Sequence, residues 1–287
     1  MPLVPGFLHA NGLEFGVLEA GPATGELVLI AHGFPDTAWS FLPVIEQLAA
    51  AGYRVVAPFM RGYLPTAMAP DGDYRLTTLA RDLIALIDEL GASKAVIVGH
   101  DWGAVAAYTA AALRPDRVRA VVCVAIPHLR RFLLRPTPGQ LVRSRYMLRF
   151  QWPDAESMLA REDFAALKAL AQAWSPDADL STTLNPVIAG FADRPRLSAA
   201  LGYYRCLPRS IFGEGWSLCT ALTAVPACVI HGGRDGCVSA EMFADQAHLF
   251  AAGVHQVCFE NAGHFMQVEQ PVRFAETVLT YLRGLPR

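Results

Sequence analysis

The sequence predicts an α/β fold, a mostly parallel eight-stranded sheet flanked by helices and interrupted by an inserted helical segment. Three observations predict it. Short continuous apolar runs alternate with helix-like stretches along the 287 residues, the pattern of strands buried on both faces of a parallel sheet. The alternation stops after Pro127 and resumes near Ala227. Between those points the chain reads as helix, with many Arg, Pro and Trp residues and no clear buried strand.

Two strand-like pieces open the chain, residues 7–10 and 13–19. Asn11-Gly12 between them is a hairpin signal, because both residues tolerate the positive φ of a tight turn. Leu27–Ala31 is an apolar strand, and 41–51 is a helix ended by Gly52. Residues 54–57 form a strand, and 76–90 an amphipathic helix ended by Gly91. A strand over 95–98, a helix over 104–113 stopped before Pro115, and a strand over 118–126 follow. After the insertion come a strand over 227–230, a helix over 240–250, a strand over 256–259 and a final helix over 272–282. The core domain is therefore assigned to 1–127 and 218–287, and a helical cap to 128–217. Inserted after the sixth strand, the cap is expected over the carboxyl ends of the strands, where open α/β sheets bind ligands.

Bulk properties narrow the partners. The net charge of −2 gives no excess positive charge for a nucleic acid. Arg, Asp, Pro or Gly break every apolar run well short of the roughly 18 residues that span a bilayer. Met1-Pro2-Leu3-Val4-Pro5-Gly6 has no basic n-region and no long apolar h-region, so no signal peptide is expected. None of the six cysteines forms a C-x-x-C pair, and Cys123, Cys228 and Cys258 lie in apolar runs. They read as reduced, buried thiols of a cytoplasmic protein. Either a monomer or a homodimer fits.

The chemistry concentrates in three loops. Gly99-His100-Asp101-Trp102-Gly103 has the G-x-nucleophile-x-G spacing of a strained strand–turn–helix elbow that exposes its central side chain. A serine is usual there and points to ester or amide hydrolysis. A carboxylate attacks an electrophilic carbon instead and forms a covalent alkyl ester. His32-Gly33-Phe34-Pro35 follows a strand. Alone it is an ordinary turn, but beside an elbow it nominates the Phe34 and Trp102 N–H groups as an oxyanion hole. Asp235 lies in the Gly-rich turn 232–236, and His264 in the loop 263–265. Alone, the first reads as a turn former and the second as a solvated loop residue. Nucleophile, acid, base is the chain order that such an elbow requires. The other histidines get plainer readings. His100 faces away along the turn, and His32 and His231 satisfy strand-end backbone groups. No H-x-H or H-x-x-x-H pair occurs, so no metal site is expected. Trp102 and Tyr204 read equally as hydrogen-bond donors into an apolar pocket or as core aromatics. Arg130, Arg131, Arg135, Arg143, Arg145 and Arg149, with no acid among residues 130–149, read as a solvated face or as an attraction for anionic substrates or a lipid surface.

These segments, together with Arg61-Gly62-Tyr63 and Gly263-His264-Phe265, resemble the α/β-hydrolase fold over essentially the whole chain, specifically its epoxide hydrolase and haloalkane dehalogenase branch. Tyr203-Tyr204-Arg205 looks like the epoxide hydrolase stretch that carries a ring-opening tyrosine, with Tyr204 at the matching position. The family uses two such tyrosines. At the position matched to the first stands Arg149, and Tyr146, one helical turn earlier, is its candidate replacement. The resemblance implies that Asp101 attacks an epoxide carbon while Tyr204 and Tyr146 assist the leaving oxygen. His264, oriented by Asp235, then activates the water that hydrolyses the ester, and no cofactor takes part. His32, Pro35, Trp102, Phe150, Trp152, Tyr203 and Phe265 are expected around a small apolar substrate, with Phe164, Trp174, Phe191 and Phe212 as further cap aromatics. The alternative is a haloalkane or haloacid dehalogenase with the same triad, whose halide would need N–H donors from Trp102 and a cap tryptophan, Trp152 or Trp174. A non-catalytic ligand-binding member of the fold is a third reading, against which the intact triad speaks.

Overall fold

The computed structural model describes residues 3–286. Strands β1 (Val4–Ala10) and β2 (Leu13–Ala20) form an antiparallel hairpin across Asn11 and Gly12, whose φ angles are 48° and 70°. Then come β3 (Leu27–Ala31), helix α1 (Leu42–Ala50), β4 (Arg54–Pro58), α2 (Leu76–Glu89), β5 (Ala95–His100), α3 (Trp102–Leu113) and β6 (Val118–Val124). Between β6 and the next strand the chain is helical: α4 (Leu129–Leu134), α5 (Pro138–Arg143), α6 (Arg145–Arg149), α7 (Ala155–Ala160), α8 (Ala165–Trp174), α9 (Ser181–Phe191), α10 (Arg194–Ile211) and α11 (Gly215–Thr220). Strands β7 (Ala227–Gly232) and β8 (Val254–Phe259) and helices α12 (Met266–Glu269) and α13 (Pro271–Arg283) complete it. The sheet order is β1-β2-β4-β3-β5-β6-β7-β8, antiparallel as far as β4 and parallel from there.

Strand side chains alternate between faces, and here both faces are covered. Val28, Ile30, Val96 and Val98 pack against Val44, Ile45 and Leu48 of α1 and Phe274 and Val278 of α13. Leu29, Ile97 and Val121 face the side covered by α2 and α3. That is why the strands read as unbroken apolar runs. Each such side chain contributes roughly 1.5–3 kcal/mol by leaving water. The second cluster continues upward into the cap aromatics Phe150, Trp174, Phe191, Tyr203 and Tyr204, so insertion and sheet share one core.

One expected element is absent. Residues 240–250 form two short 3₁₀ turns, Ala240–Phe243 and Ala247–Leu249, instead of a helix. Asp245 between them has φ 54°, which no right-handed helix accepts. The sixth strand stops at Val124, short of Ile126, because Ala125 has φ 64°. Among the described residues no helix is long and apolar enough to cross a membrane. All six cysteines are free thiols, with Cys206 and Cys258 only half-buried.

Candidate active site

The chain reverses direction at Asp101, between the end of β5 and the start of α3, with φ 50° and ψ −117°. This conformation is strained for a side-chain-bearing residue. Neighbouring glycines permit it. A Cβ on Gly99 would lie 2.2 Å from the Gly103 carbonyl oxygen, and one on Gly103 would lie 2.0 Å from that of Ala31. The Asp101 carboxylate is buried. Its Oδ1 accepts the Phe34 N–H at 2.9 Å, so the loop after β3 reaches this carboxylate. The Trp102 N–H opens α3, among the helix N–H groups without an intrahelical acceptor, at the end whose dipole favours negative charge.

Two further loops bring an acid and a base to the same point. His264 Nδ1 lies 2.9 Å from Asp235 Oδ2. Asp235 Oδ1 accepts the N–H groups of Cys237 (2.6 Å) and Val238 (3.0 Å). These bonds fix the carboxylate, and the carboxylate fixes the imidazole as an Nδ1–H donor. His264 Nε2 stands 3.7 Å from Asp101 Oδ2, a charge contact too long for a hydrogen bond, and Nε2 has no hydrogen-bond partner. Burial alone would lower the imidazole pKa. The Asp235 and Asp101 carboxylates outweigh it and raise it to about 10. Burial likewise pushes Asp101 upward, but His264, His100 and the Phe34 N–H hold its carboxyl below the ordinary carboxylate range. The resting pair is therefore carboxylate and imidazolium.

Across from Asp101 stand two phenols. Tyr204 on α10 is buried, and its hydroxyl has no partner. The Tyr146 hydroxyl on α6 meets only the Cys237 thiol, at 3.5 Å. Their ring centroids are 5.8 Å apart. Both line one narrow, largely apolar cavity of about 60 Å³ together with Asp101, Trp102 and Cys237. Burial raises both phenol pKa values well above the usual 10, so both stay O–H donors at neutral pH. The rings of Trp102, Phe150 and Phe34 surround Tyr204 at 5.0, 5.1 and 5.4 Å.

The remaining expected residues divide. Arg149 leaves the site altogether: it pairs with Asp154 and lies over the Trp152 ring, while Tyr146 on the same short helix turns inward. Trp152 is 60% exposed and Phe212 90% exposed, so neither lines the cavity. Tyr203 points the other way from its neighbour Tyr204 and donates its hydroxyl to the Arg61 carbonyl at 2.8 Å. His32 does not face substrate either. Burial lowers its pKa to about 4, and the neutral ring donates to the Gly33 carbonyl and accepts the Met60 N–H. Pro35 is buried in that loop, after a cis peptide bond. Phe265 packs against the rings of His264 and His100. Phe191 stacks on Phe34, and Trp174 packs edge-on against His264. His231 bonds no strand end through Nδ1 and stacks on Phe243. His100 is not idle, since its Nε2–H donates to the His264 carbonyl at 3.0 Å. Sequence reasoning missed Cys237 in the cavity wall, and Gln140, Arg143, Ser175 and Glu269 behind the loops that carry Asp235 and His264. No local pattern marks them.

Comparison with known proteins bears on the family and the fold. The sequence model for the alpha/beta hydrolase fold matches residues 26–271. Epoxide hydrolase A of Mycobacterium tuberculosis is 32% identical over 321 aligned residues, covering 97% of each chain. An AB hydrolase superfamily protein of Bacillus subtilis is 31% identical over 97% of each. The crystal structure of epoxide hydrolase A from Mycobacterium thermoresistibile superimposes with a TM-score of 0.85 at 29% identity, over 99% of both chains.

Proposed function

The chain belongs to the α/β hydrolase fold family, and on that premise we propose that it is an epoxide hydrolase forming a vicinal diol through a covalent ester on Asp101. The observation that carries the reading is the pair of phenols on the cavity that holds the carboxylate, Tyr204 buried without a hydrogen-bond partner and Tyr146 half-buried with only a thiol. An epoxide oxygen leaves as an alkoxide, a poor leaving group that needs a proton or hydrogen bonds as the ring opens.

In the first step Asp101 Oδ2 attacks an epoxide carbon while Oδ1 stays on the Phe34 N–H. The carbon–oxygen bond of the ring breaks, and its oxygen takes a proton from a phenol. Esterification removes the charge of Asp101. The His264 imidazolium has then lost one of the two carboxylates that hold its proton. It gives that proton to the phenolate and becomes a neutral base. In the second step Nε2 deprotonates a water that attacks the ester carbonyl carbon. The Phe34 and Trp102 N–H groups hold the oxyanion. Collapse releases the diol, whose oxygen takes the proton from His264, and the water proton left on the Asp101 carboxyl passes to Nε2, which restores the carboxylate and the imidazolium. Residues 128–217 act as a cap that keeps this chemistry away from bulk water.

A halide would leave without a proton but would need N–H donors. The exposure of Trp152 removes one of the cap candidates. Styrene oxide and a series of bromoalkanes separate the readings. Diol formation with negligible halide release is expected, and halide release without diol would sink the proposal.

A further inference from the structure

The insertion supplies more than two phenols. Helix α8 ends at Trp174, whose carbonyl has no intrahelical donor. It accepts the N–H groups of Gly236 and His264, each at 3.1 Å, so one oxygen ties the acid loop to the base loop. The next residue, Ser175, is fully buried. Its hydroxyl donates to Glu269 Oε1 at 2.8 Å and accepts the N–H groups of His264 at 2.8 Å and Phe265 at 3.1 Å. Glu269 Oε2 accepts the Gly263 N–H at 2.8 Å. So close an approach requires glycine in both loops. A Cβ on Gly263 would lie 2.6 Å from Ser175 Cα, and one on Gly236 would lie 2.0 Å from the Ala173 carbonyl oxygen. On the far side of the acid loop, Arg143 donates to the Asp235 carbonyl at 2.7 Å. Gln140 donates to the Cys237 carbonyl and accepts the Ser239 N–H, both at 2.9 Å.

We propose that Ser175 is a positioning residue for His264: its hydroxyl, oriented by Glu269, makes the end of α8 part of the machinery that hydrolyses the ester. The inference rests on the epoxide hydrolase reading. Asp235 fixes the imidazole from its Nδ1 edge, while Ser175, Trp174 and His100 fix the backbone that carries it. Without the hydroxyl, the Phe265 N–H loses its acceptor and Glu269 Oε1 its donor. The loop then relaxes, and Nε2 shifts relative to the ester carbonyl. A shift on the order of 1 Å costs a proton-transfer step heavily. Ring opening itself depends on Asp101 and the phenols; His264 acts after it, first by giving its proton to the phenolate and then as the base.

The test follows from that split. In Ser175→Ala, with styrene oxide as substrate, kcat and KM should fall together by about tenfold while kcat/KM stays within about threefold, because kcat/KM reports only the steps through ester formation. Quenched turnover samples should carry more substrate-adducted Asp101 peptide than the parent. Glu269→Gln, which cannot accept from both Ser175 and Gly263 at once, should show a smaller loss of the same form, and it carries the test if the alanine variant does not fold. A folded variant whose kcat/KM falls as much as kcat, or whose kcat is unchanged, would overturn the proposal. A parent protein that forms neither diol nor adduct defeats the functional reading instead.

Discussion

The two walls that face Asp101 differ in how their polar atoms are satisfied. On the His264 side every group behind the reactive nitrogen is held: Nδ1 by Asp235, the N–H by Ser175 and the Trp174 carbonyl, and the carbonyl by His100. On the phenol side the Tyr204 hydroxyl has no partner and Tyr146 has only a thiol. An unmet buried hydroxyl costs about 1–3 kcal/mol. On the proposed mechanism that cost falls where the substrate oxygen would arrive and is avoided where the base would have to stay still. Donors that find their acceptor only as the ring opens stabilise the transition state more than the ground state.

The largest effect that should break this contrast comes from removing both phenols. Tyr146→Phe/Tyr204→Phe should lower the rate of ester formation by about 10³-fold, measured by rapid quench. Tyr204→Phe alone should be the more stable protein by about 1 kcal/mol, because it deletes an unsatisfied buried hydroxyl. That gain is read from denaturant unfolding. On the other wall the sign reverses. Asp235→Asn should slow ester hydrolysis by roughly 10²-fold or more, since it no longer selects the Nδ1–H tautomer, and it should destabilise the fold.

A smaller effect is expected from pH. The folded pKa of His264 lies above its ordinary 6.5, at about 10. Its stabilising charge contacts are therefore complete below about 6.5 and vanish as pH rises through about 10. The melting temperature should decline across that window in the parent and more weakly in His264→Asn. Asp101 titrates in the opposite sense. Its lowered pKa gives stability that is present above its ordinary 3.8 and lost as pH falls below it. The smallest effect belongs to Trp152→Ala, which should leave kcat/KM within about twofold because that ring faces solvent.

The sequence made the triad legible but not its surroundings. Asp101, Asp235 and His264 each follow a strand, and the elbow spacing with the chain order nucleophile, acid, base marked them. The phenol wall was half legible. Tyr203 and Tyr204 are adjacent on α10, and consecutive helical residues point about 100° apart. Nothing local says which one faces the cavity, and Tyr203 went to Arg61. Arg149 and Tyr146 pose the same question on α6, and the surface pair with Asp154 turns Arg149 out. Ser175 lies 89 residues from the N–H it holds. No local pattern announces a contact across that separation, although Gly236 and Gly263 mark where another backbone approaches.

The claim that most of this depends on is that water attacks the ester of Asp101 and never the substrate carbon. A single turnover in ¹⁸O-labelled water, with enzyme in excess over styrene oxide, tests it directly. The diol released should carry no label, and the peptide containing Asp101 should carry one ¹⁸O. Label in the first-turnover diol, with an unlabelled Asp101, would contradict the account.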